Sequence, residues 1–251
     1  MAEGDTIMRT KHLLTALVGQ VVAAQAPSAR GRAAGVERLD GATLERIETH
    51  GKHLMLIFGD LVLHSHLGMS GSWHLYRHGE KWRRQSGSAW VALRGERLEA
   101  VQFGGPTLRV LPTRRLALDP QLARLGPDIL SHDIKIGNVT ARFRAIDQRR
   151  ELGEALLDQH LVAGIGNIFK SEACFAARLS PWRALAERTD EDLEAVLRSA
   201  REQMLDAVTS GRRPFAVYHR RGPCIGCGGR VLSRGQGDAN RTTWWCERCQ
   251  H

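Results

Sequence analysis

The chain has no run approaching the roughly 18 consecutive apolar residues that a membrane-spanning helix needs, and its first residues lack the basic-then-apolar order of a secretion signal. These two absences lead us to expect a cytoplasmic protein with no membrane partner. There is no internal repeat and no low-complexity tract, and a hydrophobic content of 42% is ordinary for a folded core, so 251 residues make one large domain or two modest ones. Cysteine is missing from the first 173 residues, and four of the five present, Cys224, Cys227, Cys246 and Cys249, fall in the last 28. An odd count without a secretion signal argues against a disulfide framework and for a metal site, with Cys174 as a bystander. Acidic residues are also in short supply, 27 against 36 Lys and Arg, a net charge of +9. Such an excess attracts polyanions, which makes nucleic acid the first partner to consider, although an anionic membrane surface would fit the charge equally.

The first half reads as strands after one helix. Asp5-Thr6 starts the helix, Ile7, Leu14, Leu17 and Val18 share a face, and Gly19 ends it. HLMLIF and LVLHSHL meet at Gly59-Asp60, SAWVALRG and ERLEAVQFGG meet near Gly95-Glu96, and TLRVLP follows. Short apolar runs joined by Gly-bearing turns predict antiparallel hairpins, and hence a sandwich or barrel. From Val139 the pattern turns helical: VTARFRAI, GEALLDQHLV, NIFKSEACFAARL, and a long helix to Ser210 with Thr189 as N-cap, Asp192 completing the cap, and Gly211 as the stop. LARLGPDILSHDIKIG reads as the linker. The expected fold is α+β: a β-sandwich over residues 1–119, a linker over 120–138, a helical module over 139–217 and a zinc ribbon over 218–251.

The sharpest motif is the pair of Cys-x-x-Cys knuckles, CIGC and CERC, separated by 18 residues. Four thiolates at this spacing suit one tetrahedral Zn(II) with no open position, a structural ion and not a catalytic one. The stretch between them reads as a hairpin that exposes Arg241. In LVAGIGN, Gly164 and Gly166 let the chain turn tightly into a helix start that suits a phosphate, with the Asn167 amide beside it; a plain helix cap and turn would look similar. Lys52 follows a glycine turn into a strand, where lysines are commonly just solvated. His64 and His66 lie two apart on a strand that runs into Gly68-Met69-Ser70-Gly71, but no third metal ligand stands out, and Met69 is either a core plug or an apolar wedge offered to a partner. At the start, MAEGDTI places Ala2 beside Glu3. If Met1 is removed, the Ala2 α-amine, with a pKa of about 7.7–8.0, is partly neutral and nucleophilic; a solvated tail is the bland alternative.

Taken in order, the small-residue-Glu-Gly start, HGKHL, SHLGMSG, LGPDIL, LLDQHLVAGIGNIFKSE and the closing WWCERCQ resemble the formamidopyrimidine-DNA glycosylase and endonuclease VIII family over nearly the whole chain. The resemblance implies a β-sandwich, a helix-two-turns-helix module and a zinc finger that bind damaged DNA as a monomer on the chromosome. It also implies excision of an oxidised base followed by elimination at the abasic site. By the same resemblance, the Ala2 amine attacks C1′ to form a Schiff base, Glu3 protonates the opened sugar, and Lys52 brings positive charge to the lesion. Asn167 and Arg241 grip the kinked backbone, Gly166 presents its N–H, and Met69 fills the void left by the flipped nucleotide. Ala2 departs from the family's usual proline. A primary imine can lose its proton where a proline iminium cannot, so weakened lyase chemistry is expected, and a damage-binding protein that has lost its catalysis is the alternative. The start and the terminal CERCQH lean toward the endonuclease VIII branch.

Overall fold

The computed structural model describes residues 2–116 and 118–251; the expectation that Met1 is removed concerns a residue outside them. The chain divides into two units, Met1–Arg124 and Leu125–His251.

The first unit comprises α1 (Gly4–Leu14), β1 (Ala23–Gln25), α2 (Ala29–Ala33), β2 (Arg46–His50), β3 (His53–Phe58), β4 (Leu61–His66), β5 (Ser72–Arg77), β6 (Ala89–Arg94), β7 (Leu98–Phe103), β8 (Thr107–Pro112), α3 (Thr113–Leu116) and α4 (Pro120–Ala123). Its strands form two antiparallel four-stranded sheets, ordered β1-β6-β7-β5 and β2-β3-β4-β8. Alternation along each strand divides the side chains between faces. Leu54, Leu56 and Phe58 of β3, Leu63 of β4 and Leu108 and Val110 of β8 join Ala24, Trp73, Val91, Leu93 and Ala100 in one buried core, which also takes Ile7 and Leu14 of α1. Each fully buried aliphatic or aromatic side chain there contributes about 1.5–3 kcal/mol. The other faces are apolar too: Met55, Ile57 and Val62 cluster on one sheet, and Tyr76, Ala89, Ala92, Val101 and Phe103 on the other. This explains why HLMLIF shows no alternation. Three strands, β1, β2 and β5, escaped the sequence reading. They are short or half-exposed, and β2 buries only Ile47.

The second unit comprises α5 (Ile136–Arg144), α6 (Leu152–Leu157), α7 (Asn167–Ala176), α8 (Asp190–Ser210), β9 (Leu232–Gln236) and β10 (Arg241–Trp245). Helix α8 has the expected capping box, with Thr189 Oγ1 accepting from the Asp192 N–H at 3.2 Å, and it ends at Gly211 with φ +74°. GEALLDQHLV, in contrast, is helical only to Leu157. Asp158 turns extended and its carboxylate accepts the His160 N–H at 2.9 Å, which stops the helix. α7 packs on α8, α6 and β10, and α5 packs on α8. The stretch expected as a linker contains α4, and its Ile129 and Leu130 are buried.

Candidate functional site

In the first unit the N-terminus is held against a loop built for close approach. Glu3 caps α1, its carbonyl accepting from Thr6 N and Ile7 N, and its side chain is fully buried at the positive end of the helix. The backbone N–H of Ala2 donates to the Gly68 carbonyl at 3.0 Å. Gly68 has φ +58°, and a Cβ there would lie 2.7 Å from Pro106 Cδ; at Gly71 it would lie 2.5 Å from the Leu67 carbonyl. Glycine at both ends lets this loop fold down on residues 104–106, and Met69 between them stays 70% exposed. Ala2, Glu3 and Met69 are thereby gathered at one place.

Lys52 sits in the β2–β3 turn, close enough to His66 that, after burial itself, its ammonium pushes the His66 pKa down. His66 faces His53 across the β3–β4 ladder, with ring centroids 4.8 Å apart. His53 Nδ1 lies 2.9 Å from His64 Nε2, Arg109 Nε donates to His64 Nδ1 at 3.0 Å, and the Arg109 guanidinium is paired with the Asp119 carboxylate. Burial first, and then neighbouring charge, pushes His53 down to about 3 and His64 down to about 4. Burial works to raise Asp119, yet the Leu122 N–H and the Arg109 charge outweigh it and hold the carboxyl below its ordinary range. This chain of side chains was missed in the sequence, where only His64 and His66 were noticed.

In the second unit Gln159 shapes the turn into α7: its Nε2 donates to the Leu157 and Ile165 carbonyls at 2.9 and 3.0 Å, and its Oε1 accepts the Gly164 N–H at 3.1 Å. Gly164 alone of the two glycines takes a positive φ, +106°; Gly166 is extended and caps α7. Asn167 is buried and donates to the Thr242 carbonyl at 2.6 Å, so it lies next to Arg241, which is exposed at the start of β10. One turn on, the fully buried Lys170 donates to Thr243 Oγ1 at 2.5 Å; that hydroxyl donates to Gln236 Oε1, and Gln236 donates to Glu151 and the Pro181 carbonyl. Glu172, also buried, accepts the N–H groups of Ala216, Val217 and Tyr218 at 2.7–3.0 Å. These contacts fix the ribbon hairpin and the segment before it to α7.

The sulfurs of Cys224, Cys227, Cys246 and Cys249 all lie within 4.8 Å of one another, with Cys224 to Cys249 at 3.7 Å and Cys227 to Cys246 at 3.5 Å. A tetrahedral ion with bonds of about 2.3 Å sets its sulfurs about 3.8 Å apart, so the cluster fits zinc. N–H groups of Gly226 and Gly229 point at Cys224 and Cys227 sulfur at 3.4 Å, as suits thiolates.

Residues 1–117 match the formamidopyrimidine-DNA glycosylase N-terminal domain family, and residues 125–217 match the formamidopyrimidine-DNA glycosylase H2TH domain family. A probable endonuclease 8 2 of Streptomyces coelicolor is 37% identical, over 100% of this chain and 94% of its own length. A DNA-(apurinic or apyrimidinic site) lyase Nei2 of Mycolicibacterium smegmatis is 31% identical over 100% and 99%. The crystal structure of Lactococcus lactis formamidopyrimidine-DNA glycosylase bound non-covalently to DNA containing an AP site matches all of both chains with a TM-score of 0.84 at 21% identity, a likeness in fold.

Proposed function

The chain belongs to the formamidopyrimidine-DNA glycosylase and endonuclease VIII family, and from that premise we propose that it excises oxidised bases from DNA and cleaves the resulting abasic site through its N-terminal amine. It is a DNA glycosylase and abasic-site lyase of base excision repair. The observation that carries the mechanism is the hydrogen bond from Ala2 N to the Gly68 carbonyl, one residue from the buried Glu3 carboxyl and one from the exposed Met69.

In a chain whose α-amine is that of Ala2, the nitrogen lone pair forms a bond to C1′ of the damaged nucleotide, and the base leaves with the glycosidic electron pair. Glu3 gives a proton to the ring oxygen as the C1′–O4′ bond opens, yielding a C1′ imine to Ala2. Loss of a C2′ proton then expels the 3′ phosphate. Splitting the cleavage in this way replaces one difficult step with easier ones, and a placed proton donor is worth about 10²–10⁴ in rate. Lys52 faces the lesion backbone, while Asn167, Gly166 and Arg241 grip it. Met69 enters the stack where the nucleotide has left, offsetting the few kcal/mol that flipping costs. The cysteine cluster holds one Zn(II), which supplies no chemistry to the reaction and folds the hairpin that carries Arg241. The protein acts as a monomer on chromosomal DNA, in the endonuclease VIII branch of the family.

Borohydride trapping on abasic-site DNA tests this. A preparation whose intact mass confirms Ala2 at the N-terminus is expected to give a covalent protein–DNA adduct, with the link on Ala2 in the peptide map. No adduct, or a link to a lysine side chain, overturns the mechanism.

A further inference from the structure

The donors along the histidine chain have only one consistent direction. Arginine offers hydrogens and no lone pair, so the bond from Arg109 Nε requires an unprotonated Nδ1 on His64. Neutral His64 then carries its hydrogen on Nε2 and donates it to His53 Nδ1, so His53 in turn carries its hydrogen on Nε2. The order is anchored by Asp119, which accepts the N–H groups of Gln121 and Leu122 on one oxygen and takes Arg109 on the other. The pleat makes the chain possible. In the observed registers, His53 faces His66 and His64 faces Arg109, so His53, His64, His66 and Arg109 line up across three neighbouring strands on the face away from the sandwich core. His64 is fully buried and Asp119 is 7% exposed, whereas His53, at the end of the β3–β4 ladder, is half-buried beside His66 and near Lys52. Both inner rings resist protonation, which keeps this direction at neutral pH.

We propose that Asp119, Arg109 and His64 are positioning residues that fix His53 as a neutral imidazole accepting at Nδ1 and able only to donate at Nε2, and that His53 gives its Nε2–H to a backbone oxygen of the bound DNA beside Lys52. This rests on the glycosylase and lyase reading above. An N–H locked as a donor beside an ammonium group suits an anionic phosphate oxygen, and it adds direction to the undirected charge of Lys52. Because the ring is neutral, the contact adds a hydrogen bond without releasing a counterion.

The experiment combines imidazole ¹⁵N NMR with binding to a duplex carrying a tetrahydrofuran abasic-site analogue. In the free wild-type protein at pH 7, His64 and His53 are both expected as neutral Nε2–H tautomers. His53→Phe keeps the ring packing and is expected to weaken binding about tenfold with the salt slope unchanged, while Lys52→Ala lowers that slope by about one. His64→Leu is expected to release the His53 tautomer and weaken binding about threefold, and His64→Gln, whose amide accepts and donates in the same order, restores both. A purely structural role would let Leu serve as well as Gln at this buried position. An Nδ1–H or cationic His53, or wild-type affinity in His53→Phe, overturns the proposal. Failure of the wild-type protein to prefer the analogue duplex over undamaged DNA overturns the parent reading, and this one with it, whatever the tautomers.

Discussion

The sandwich and the cysteine-bearing ribbon are held together by different physics, whereas the helices of the second unit share an apolar core of their own that includes Phe143, Phe169 and Leu197. The sandwich has apolar clusters on both faces of its sheets, so a polar side chain there can be exchanged with the fold intact. The ribbon buries few apolar side chains beyond Trp245 and two cysteines, and its hairpin is tied to α7 by hydrogen bonds that Asn167 and Lys170 donate to residues 242 and 243 and that Ser171 accepts from the Trp244 N–H. A hairpin of this size is marginal alone in water, so a metal ion on the four cysteines, together with those bonds, would supply what a core does elsewhere. The contrast predicts that lesions in the ribbon cost folding of the hairpin and with it the grip on DNA, while polar lesions in the sandwich leave the fold intact and act on chemistry or on single DNA contacts.

The largest expected effect is loss of the metal. Structural zinc contributes on the order of 10 kcal/mol to folding of such modules, so chelation or Cys246→Ser is expected to unfold the ribbon. Amide NMR should lose the signals of residues 224–250 while the signals of the sandwich persist, and DNA affinity should collapse. Loss of the sandwich signals as well would show that the sandwich depends on the metal too.

Next comes Glu3→Gln. It keeps the size of a buried side chain but removes its proton, and turnover on abasic DNA is expected to fall by about 10²–10⁴ with binding to the tetrahydrofuran duplex within a few-fold of wild type. Equal losses in both would mean that Glu3 serves binding and not chemistry.

The parts legible in the sequence are those set by short-range rules. Thr189 and Asp192 announce the start of α8, Gly59-Asp60 announces the β3–β4 turn, and four cysteines announce their own cluster. What was not read depends on register and on partners far along the chain. A two-residue turn at Gly59-Asp60 sets Phe58 against Leu61, and so puts His53 opposite His66, which was within reach of counting. Arg109 and Asp119 come from β8 and the start of α4, and nothing local in HSH points to them. Glu172 is hidden for the same reason: its three partners lie 44 to 46 residues away in a segment without regular structure.

Glu172→Gln should cost less than the lesions above. The carboxylate accepts three N–H groups while 2% exposed, and the amide has one oxygen to offer them and a donor that faces the wrong way. About 3 kcal/mol of stability is expected to be lost from the second unit, visible as a lower urea midpoint and faster hydrogen exchange at residues 216–218. DNA affinity follows that loss, and the single-turnover rate of bound complexes does not.

The smallest effect lies in the sandwich. His53 and His64 are held neutral, at about 3 and about 4, against an ordinary value of 6.5. Their folded values are depressed, so the unfolded chain takes up protons first as the pH falls below about 6.5, and the folded chain follows only near 4. Stability of the first unit therefore declines through that window and is not recovered below it. Asp119, whose carboxyl is held low, adds its own loss only below about 4, outside the window. The groups facing the two rings, His50, His66, Arg109 and Asp119, all belong to the first unit. With His53 half-open to solvent and its share discounted accordingly, the decline between pH 7 and pH 4.5 is on the order of a few kcal/mol. Urea midpoints read from sandwich amides across this range should show it, and the double variant His53→Phe with His64→Leu should flatten it; an undiminished slope in the double variant would assign the proton uptake to other groups.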